Sequence, residues 1–303
     1  MTIPTGKNAA LMFKKETDFG VAVTPTQSIE FSDDGMTEEI DYEESDGIDA
    51  SDGMSKLQVV QGLKKPAWGF TWRIIHERLA NLFELGFGSL SEGNPALSYP
   101  LPSATIEVAK VTKTFTFAGC KCQQLEVSSG VDQQWVQAKL NGPAATVTPG
   151  ADTTAASWSD TEKPLLHRRI TLKHDSDAAV KVDQLTWRVI NSLAESNFAN
   201  AQTRQAIEEE DLRSVEGEMV VTFDATNYHI YEDFVSGDFV EIKATYTYGT
   251  SGTVVLTFAN CGVRGELPKL PGRGRITMTI PFVAYNSTRA LQDAVACAIT
   301  ADA

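Results

Sequence analysis

Cysteine and histidine are scarce, with four of each in 303 residues. Cys120, Cys122, Cys261 and Cys297 have neither the CxxC spacing of a zinc site nor the density of a disulfide framework, and small buried roles suit them better. His76, His167, His174 and His229 fall at no ligand spacing, and His76 and His229 read as surface residues of short helices. GxSxG, HExxH and Walker A sequences are missing, and Gly86-Phe87-Gly88 and Gly272-Arg273-Gly274 begin a GxG that never becomes GxGxxG. No catalytic, cofactor-binding or metal residue is therefore assigned, and an enzyme is not expected. No apolar run approaches the roughly 20 residues that cross a bilayer. The start, MTIPTGKNAALMFKK, lacks a secretory apolar core, so the expectation is a protein that stays where it is made, with no membrane partner. Positive charge is in deficit: 26 Lys and Arg against 40 Asp and Glu give a net charge of −14. A broad basic face that grips DNA is excluded, whereas an acidic surface suits a protein past which DNA must slide.

What is present is a repeat. Phe115–Cys120 reads FTFAGC and Leu256–Cys261 reads LTFANC. In each, alternating residues form a strand, and Gly119 or Asn260 then supplies a corner where a positive φ is needed. Upstream of the first lie Val60-Gln61-Gly62, the aromatic run Trp68–Trp72 and an amphipathic stretch from Arg73 to Leu85 closed by Gly86. Upstream of the second lie Val215-Glu216-Gly217, the run Glu218–Phe223 and a stretch from Asn227 to Val235 closed by Gly237. Ile75, Leu79, Leu82 and Phe83 share one helical face, as do Tyr228, Tyr231 and Val235. Strand, short helix, strand and corner thus occur twice, which predicts a mainly β chain built as two tandem modules, residues 1–160 and 161–303, each with a flanking helix.

Between these landmarks, Lys7–Val23 predicts a first strand with a turn at Asp18–Gly20. Ser32–Asp52 is an acidic run interrupted by glycines and reads as a long solvated loop; Asp46, Asp49, Asp52 and Gly53 lack the alternate spacing of an EF-hand. Gly88–Pro102 reads as an exposed loop, Thr105–Ala118 and Gln123–Ser128 as strands, and Trp135–Leu140 as the return strand of a hairpin. Gly142–Lys163, small and polar, is the expected module boundary. Arg168–Lys173 and Val182–Ile190 read as strands, and Ser192–Leu212 as a second acidic loop equivalent to the first. Glu241–Tyr248 and Thr253–Phe258 form a hairpin across Gly249–Gly252. Pro268–Arg275 is the one basic loop, followed by the strand Ile276–Phe282; the segment from Ser287 reads equally well as strand or helix.

GKNAALMFKKETDFG, the acidic run ending in DG, VVQGLKKPAWGFTW leading into IIHERLANLFELGFG, and FTFAGCKCQQLEVSSG with its F-x-G-C-x-x-x-x-L corner together resemble the tail tube (major tail) proteins of long, non-contractile-tailed bacteriophages. The second corner departs, with Asn260 for Gly and no Leu at the matching distance. The resemblance covers nearly the whole chain. It implies a β-sandwich or partial barrel in each module, and strands that join those of neighbouring copies around a channel. It also implies a virion protein, assembled in the host bacterial cytoplasm, whose stacked rings conduct double-stranded DNA during genome ejection without binding it specifically. Tape measure and tail terminator proteins would be its other partners. If a ring needs six modules, three such chains close it; the alternative is a hexamer of single-module chains. The long acidic loops would join successive rings and order only on a partner.

A different class, a carbohydrate-binding or adhesive β-sandwich, would use Trp68, Trp72, Trp135, Trp158 or Trp187 as stacking platforms.

Overall fold

The computed structural model describes residues 9–44, 59–150, 163–175, 179–196, 201–225, 227–264, 275–287 and 293–302. The alternating runs become antiparallel strands and the chain is mainly β, with no closed barrel among the described residues. The first half contains β1 (Ala10–Lys15), β2 (Gln27–Ile29), β3 (Phe31–Asp34), β4 (Thr37–Glu44) and β5 (Val59–Arg73). Helix α1 (His76–Phe87) follows, then β6 (Gly88–Ser91), β7 (Asn94–Leu97), β8 (Ala104–Ala109), β9 (Thr114–Cys120), β10 (Gln124–Gly130), β11 (Gln137–Pro143) and β12 (Thr146–Gly150). The second half contains β13 (Ile170–His174), β14 (Val182–Ile190), β15 (Leu193–Ser196), β16 (Ala206–Glu209) and β17 (Ser214–Thr222). Helix α2 (Tyr228–Ser236), β18 (Phe239–Tyr248), β19 (Gly252–Val263), β20 (Thr277–Ala284) and β21 (Val295–Thr300) complete it.

The duplication extends to the register. Strand β8 pairs β9 through Ala104↔Cys120 and Ile106↔Phe117, with a bulge between them. Strand β18 pairs β19 through Val240↔Cys261 and Ile242↔Phe258, with a bulge at the same step. On the far side of each corner strand, Val147 faces Phe117 and Val295 faces Phe258. Leu11↔Ile29 is matched by Leu172↔Val180. In the opposite sheet, Phe31↔Trp72 and Asp33↔Thr71 flank a bulge as Val182↔Val221 and Gln184↔Val220 do. Ala138↔Trp72 then corresponds to Met278↔Val221. Bulges bend strands and fix local twist, so their coincidence means that both halves curve alike.

In the first half the sheet β12–β9–β8–β1–β2 is separate from the one that holds β5, β11 and β10, whereas the second-half strands β13, β14 and β17–β21 all belong to that larger sheet, which is joined through the β19–β20 ladder; alternating apolar residues face inward. Trp68, Phe70, Trp72, Phe117 and Leu140 are buried in the first half and Trp187, Met219, Tyr246, Phe258 and Phe282 in the second. Buried residues of both halves form one continuous apolar cluster.

Several expectations need correction. The acidic run is no loop where it is described: Phe31–Asp34 and Thr37–Glu44 are strands paired to β5, while 45–58, with Asp46, Asp49 and Asp52, lie outside the described residues. Edge strands carry charge readily because water solvates the unpaired side. Gly88–Pro102 holds the hairpin β6–β7, and Ser192–Leu212 holds β15–β16. Thr105–Ala118 is two strands, broken where Lys110 and Lys113 close a turn. Of the expected boundary, Gly142–Pro143 belongs to β11 and Thr146–Gly150 is β12; 151–162 and the basic residues of 265–274 lie outside the described residues. The last segment resolves as a strand, β21, held along β19. Helix α1 runs past Gly86 to Phe87, and its C-cap is Gly88 at φ 117°.

Candidate assembly surfaces

The two halves meet along a seam made by the ladder of β10 on β14. Gln124↔Ile190, Glu126↔Arg188 and Ser128↔Thr186 are register partners, so the four-strand layer β4–β5–β11–β10 continues into β14–β17–β20–β19 as one sheet. Periodicity gives no hint of this pairing, because β10 and β14 each alternate as any half-buried strand would.

Helix α1 lies beneath the seam on its apolar side. Phe83 and Phe87 stack with centroids 5.8 Å apart, and each meets the Trp187 ring edge-on, at 5.8 and 6.4 Å. Gly86 is required here, because a Cβ would stand 2.9 Å from Leu125 Cβ. Lys15 pairs with Glu84, tying β1 to the helix. Buried Asn191 donates from Nδ2 to Gly86 O (3.1 Å) and Cys122 O (2.9 Å), and its Oδ1 accepts from Arg213 Nε at 2.6 Å. Arg213 also donates to Phe87 O and Ser98 O, each at 3.0 Å, and lies over the Tyr99 ring. Burial lowers the Arg213 pKa from its ordinary value. The hairpin β15–β16 reaches back across the seam, where Glu209 accepts from Leu101 N and Lys121 Nζ and Arg204 donates to Ala144 O. These polar contacts close the seam where main-chain carbonyls would otherwise be buried unpaired.

On the open side of this sheet a row of charges runs across the strands. Lys139 faces Glu126, Glu126 faces Arg188 and Arg188 faces Glu216, with Arg188 Nη2 and Glu216 Oε2 2.8 Å apart. Signs alternate, so the row presents a balanced field and not the acidic one that net charge alone suggests.

Among the described residues the seam occurs once, and β4 and α2 stand where β14 and α1 do in it. Among the described residues, β3 and β4 pair only with β5, and no described strand lies on the other edge of β4 where β14 has β10. Helix α2 ends at Gly237 (φ 75°), whose N–H bonds Asp233 O as that of Gly88 bonds Glu84 O. Aligned on these caps, Leu79, Leu82, Leu85 and Gly86 of α1, three buried leucines and the buried glycine, correspond to Tyr228, Tyr231, Phe234 and Val235. The shared face of α2 is only partly covered: Tyr228 is 45% and Val235 64% exposed, Tyr231 packs against the core, and Ile230 is the buried residue. Phe223, Tyr228, Tyr231 and Phe234 form a chain of ring contacts along it, at 6.1, 5.9 and 6.1 Å. Phe223 and Tyr231 are partly buried against the core, so the exposed apolar surface of the helix is limited to Tyr228 and Val235.

Other sequence candidates are placed as follows. Trp68, Trp72 and Trp187 are buried, Trp135 is stacked under Arg73, and Trp158 lies outside the described residues; the buried three cannot serve as sugar platforms. All four cysteines are buried and free. His76 is not a surface residue: its ring stacks on Tyr248 at 4.4 Å. His174, Asp175 and Asp233 converge within 4.8 Å, a grouping able to hold a metal ion that sequence spacing did not reveal. Asp175 Oδ1 already accepts from Glu241 N, and the His174–Asp233 contact (3.6 Å) ties β13 to α2 where Lys15–Glu84 ties β1 to α1.

Compared with known families, residues 6–284 match the model described as phage tail tube protein. A search of curated proteins found no match.

Proposed function

The chain belongs to the phage tail tube protein family, a structural component of the virion tail, and from that premise we propose that it closes into rings that stack into the conduit for genome ejection. The observation that carries this reading is the seam, where one half continues the sheet of the other while no described strand lies on the other edge of β4. An exposed edge is an invitation to pair, and a ring satisfies every such edge by symmetry. Two modules per chain, divided near residue 160, make three copies sufficient for six modules. The charge-balanced row on the open face of the sheet supports a lumen past which double-stranded DNA slides without adhering. Tape measure and tail terminator proteins would bind the ends of the stack, and assembly would take place in the host bacterial cytoplasm.

Electron microscopy of the purified protein tests the reading, with native mass measurement of any ring. Hollow tubes or rings of three chains are expected. A protein that stays monomeric at high concentration would overturn it, and a ring of six chains would overturn the two-module stoichiometry.

A further inference from the structure

We propose that the hairpin β4–β5 of one copy covers the second-half corner of the next, setting its exposed Val60 against the rings of Phe239 and Tyr285. The inference rests on the ring reading and names an apolar contact by which neighbouring chains would hold each other.

The two corners differ in cover. In the first half Ser103, Lys121, Ala144 and Ala145 are buried. Register gives their counterparts. Val240↔Cys261 repeats Ala104↔Cys120, so Phe239 and Gly262 hold the places of Ser103 and Lys121. Val283↔Glu216 repeats Pro143↔Ala67, so Tyr285 holds that of Ala145. A size exchange supports this second match: Gly142↔Trp68 in one half answers Phe282↔Gly217 in the other, with the large ring on the opposite strand. Among the described residues nothing covers these places in the second half. Phe239 is 64% and Tyr285 44% exposed, their rings meet edge-on at 5.8 Å, and Gly262 lies against both. Paired rings in water lose apolar exposure when a partner covers them.

The cover of the first corner is a hairpin of the other half. The pair β15–β16, inserted between β14 and β17, lies over it: Glu209 accepts from Leu101 N at 2.9 Å and Lys121 Nζ at 3.2 Å, and Arg204 donates to Ala144 O at 3.0 Å. Its counterpart in the first half is the β4–β5 extension. Val189↔Val215 and Leu193↔Glu209 answer Glu38↔Pro66 and Glu43↔Val60. Val60 therefore stands where Glu209 does, and it is 60% exposed. The first half has no module before it in the chain, so the corner that its hairpin would cover in the same way is the second half of another copy.

The chemistry of the two positions changes together. Glu209 meets Lys121 as an ion pair, whereas Val60 would meet Gly262, a place without a side chain walled by two aromatic rings. A valine fits that floor and a carboxylate does not, because the rings offer it no donor.

The test follows the full chain by sedimentation under assembly conditions, with thermal melts of each variant. Val60→Glu places a charge on the rings and should abolish ring formation, while melting as wild type does because position 60 is exposed. Adding Gly262→Lys transplants the Glu209–Lys121 pair to the contact between copies and should restore rings. The lysine has room: the nearest atom to a Cβ at 262 is Cε2 of the exposed Tyr285 ring, at 3.2 Å. Rings that survive Val60→Glu, or a double variant that stays as single chains, overturn this contact and leave the tube reading standing. Wild-type protein that never assembles overturns both.

Discussion

Gly119 and Asn260 hold the same backbone corner, at φ 67° and 45°, and the cysteine after each directs its Sγ to the carbonyl three residues back. Cys120 meets Phe117 O at 3.6 Å and Cys261 meets Phe258 O at 3.4 Å. The two sites differ in space. A Cβ on Gly119 would stand 2.6 Å from Ala145 Cβ, so Gly119 answers both to conformation and to packing, and Asn260 to conformation. Gly119→Ala should therefore destabilise by about 2–3 kcal/mol, the sum of left-handed strain and overpacking. Asn260→Gly should change stability by about 0.5 kcal/mol or less. Urea titrations of the two variants check this, and equal losses would contradict it.

That corner also shows why half of the architecture could be read in advance. Thr-Phe-Ala-x-Cys announces itself because strand alternation and a positive-φ residue leave direct marks on composition. The seam leaves none: whether β10 meets β14 depends on chain path, not on the residues of either strand. The apolar spacing of Tyr228, Tyr231 and Val235 gave a helix with one apolar face but not what covers it, since periodicity says only which residues share a side. Glu38 and Glu39 hid a strand, because an open edge keeps charged residues in water.

At the seam, Arg213 is the residue with the most to lose. Arg213→Met would leave Asn191 Oδ1 and Ser98 O without this donor, while Phe87 O keeps Ser98 N at 2.9 Å. Unsatisfied groups of this kind cost about 1–3 kcal/mol each, partly relieved by water at this half-buried position. A loss of about 3 kcal/mol is expected, with Arg213→Lys recovering only part, since an ammonium cannot reproduce the three-way fork. Thermal melts should show the loss; a variant as stable as wild type would remove the network from the seam.

Burial raises the pKa of the Cys122, Cys261 and Cys297 thiols to about 12, and that of Cys120 well above its usual value. Only the thiolate is nucleophilic. At pH 8 a thiol-reactive chromogen should label none of the four in native protein and all four once it is unfolded in guanidinium. Rapid native labelling of any one would show that its strand opens.

Asp302, just after β21, fastens that strand to the β18–β19 turn. Its Oδ1 accepts from Thr250 N (2.9 Å), Ser251 Oγ (3.1 Å) and Gly252 N (3.1 Å), while Oδ2 pairs with Lys163. The Lys163 ammonium, then the Ser251 N–H, hold its carboxyl well below the usual range. A depressed folded pKa stabilises through the ionised form, so the contribution is complete above the unfolded value near 4 and fades as pH falls toward the folded one. Amide exchange at Thr250 and Gly252 should therefore accelerate, relative to its intrinsic rate, between about pH 4 and pH 2. Asp302→Asn should start unprotected and lack the pH dependence.

The β4–β5 hairpin runs beyond the sandwich, since β11 covers β5 only from Ala67 onward, and Tyr42 and Val60 are exposed on this extension. Glu44 and Val59 are its last register partners, so a two-residue Asn-Gly turn can replace residues 45–58 without disturbing the ladder. A wider deletion from Asp33 would instead strip β3 and β4 from β5 and cost the fold. If the hairpin ends join successive rings, the shortened chain should melt as wild type does and sediment as rings, with no tubes in the microscope. Tubes of normal length from that chain would place the stacking contact elsewhere on the module.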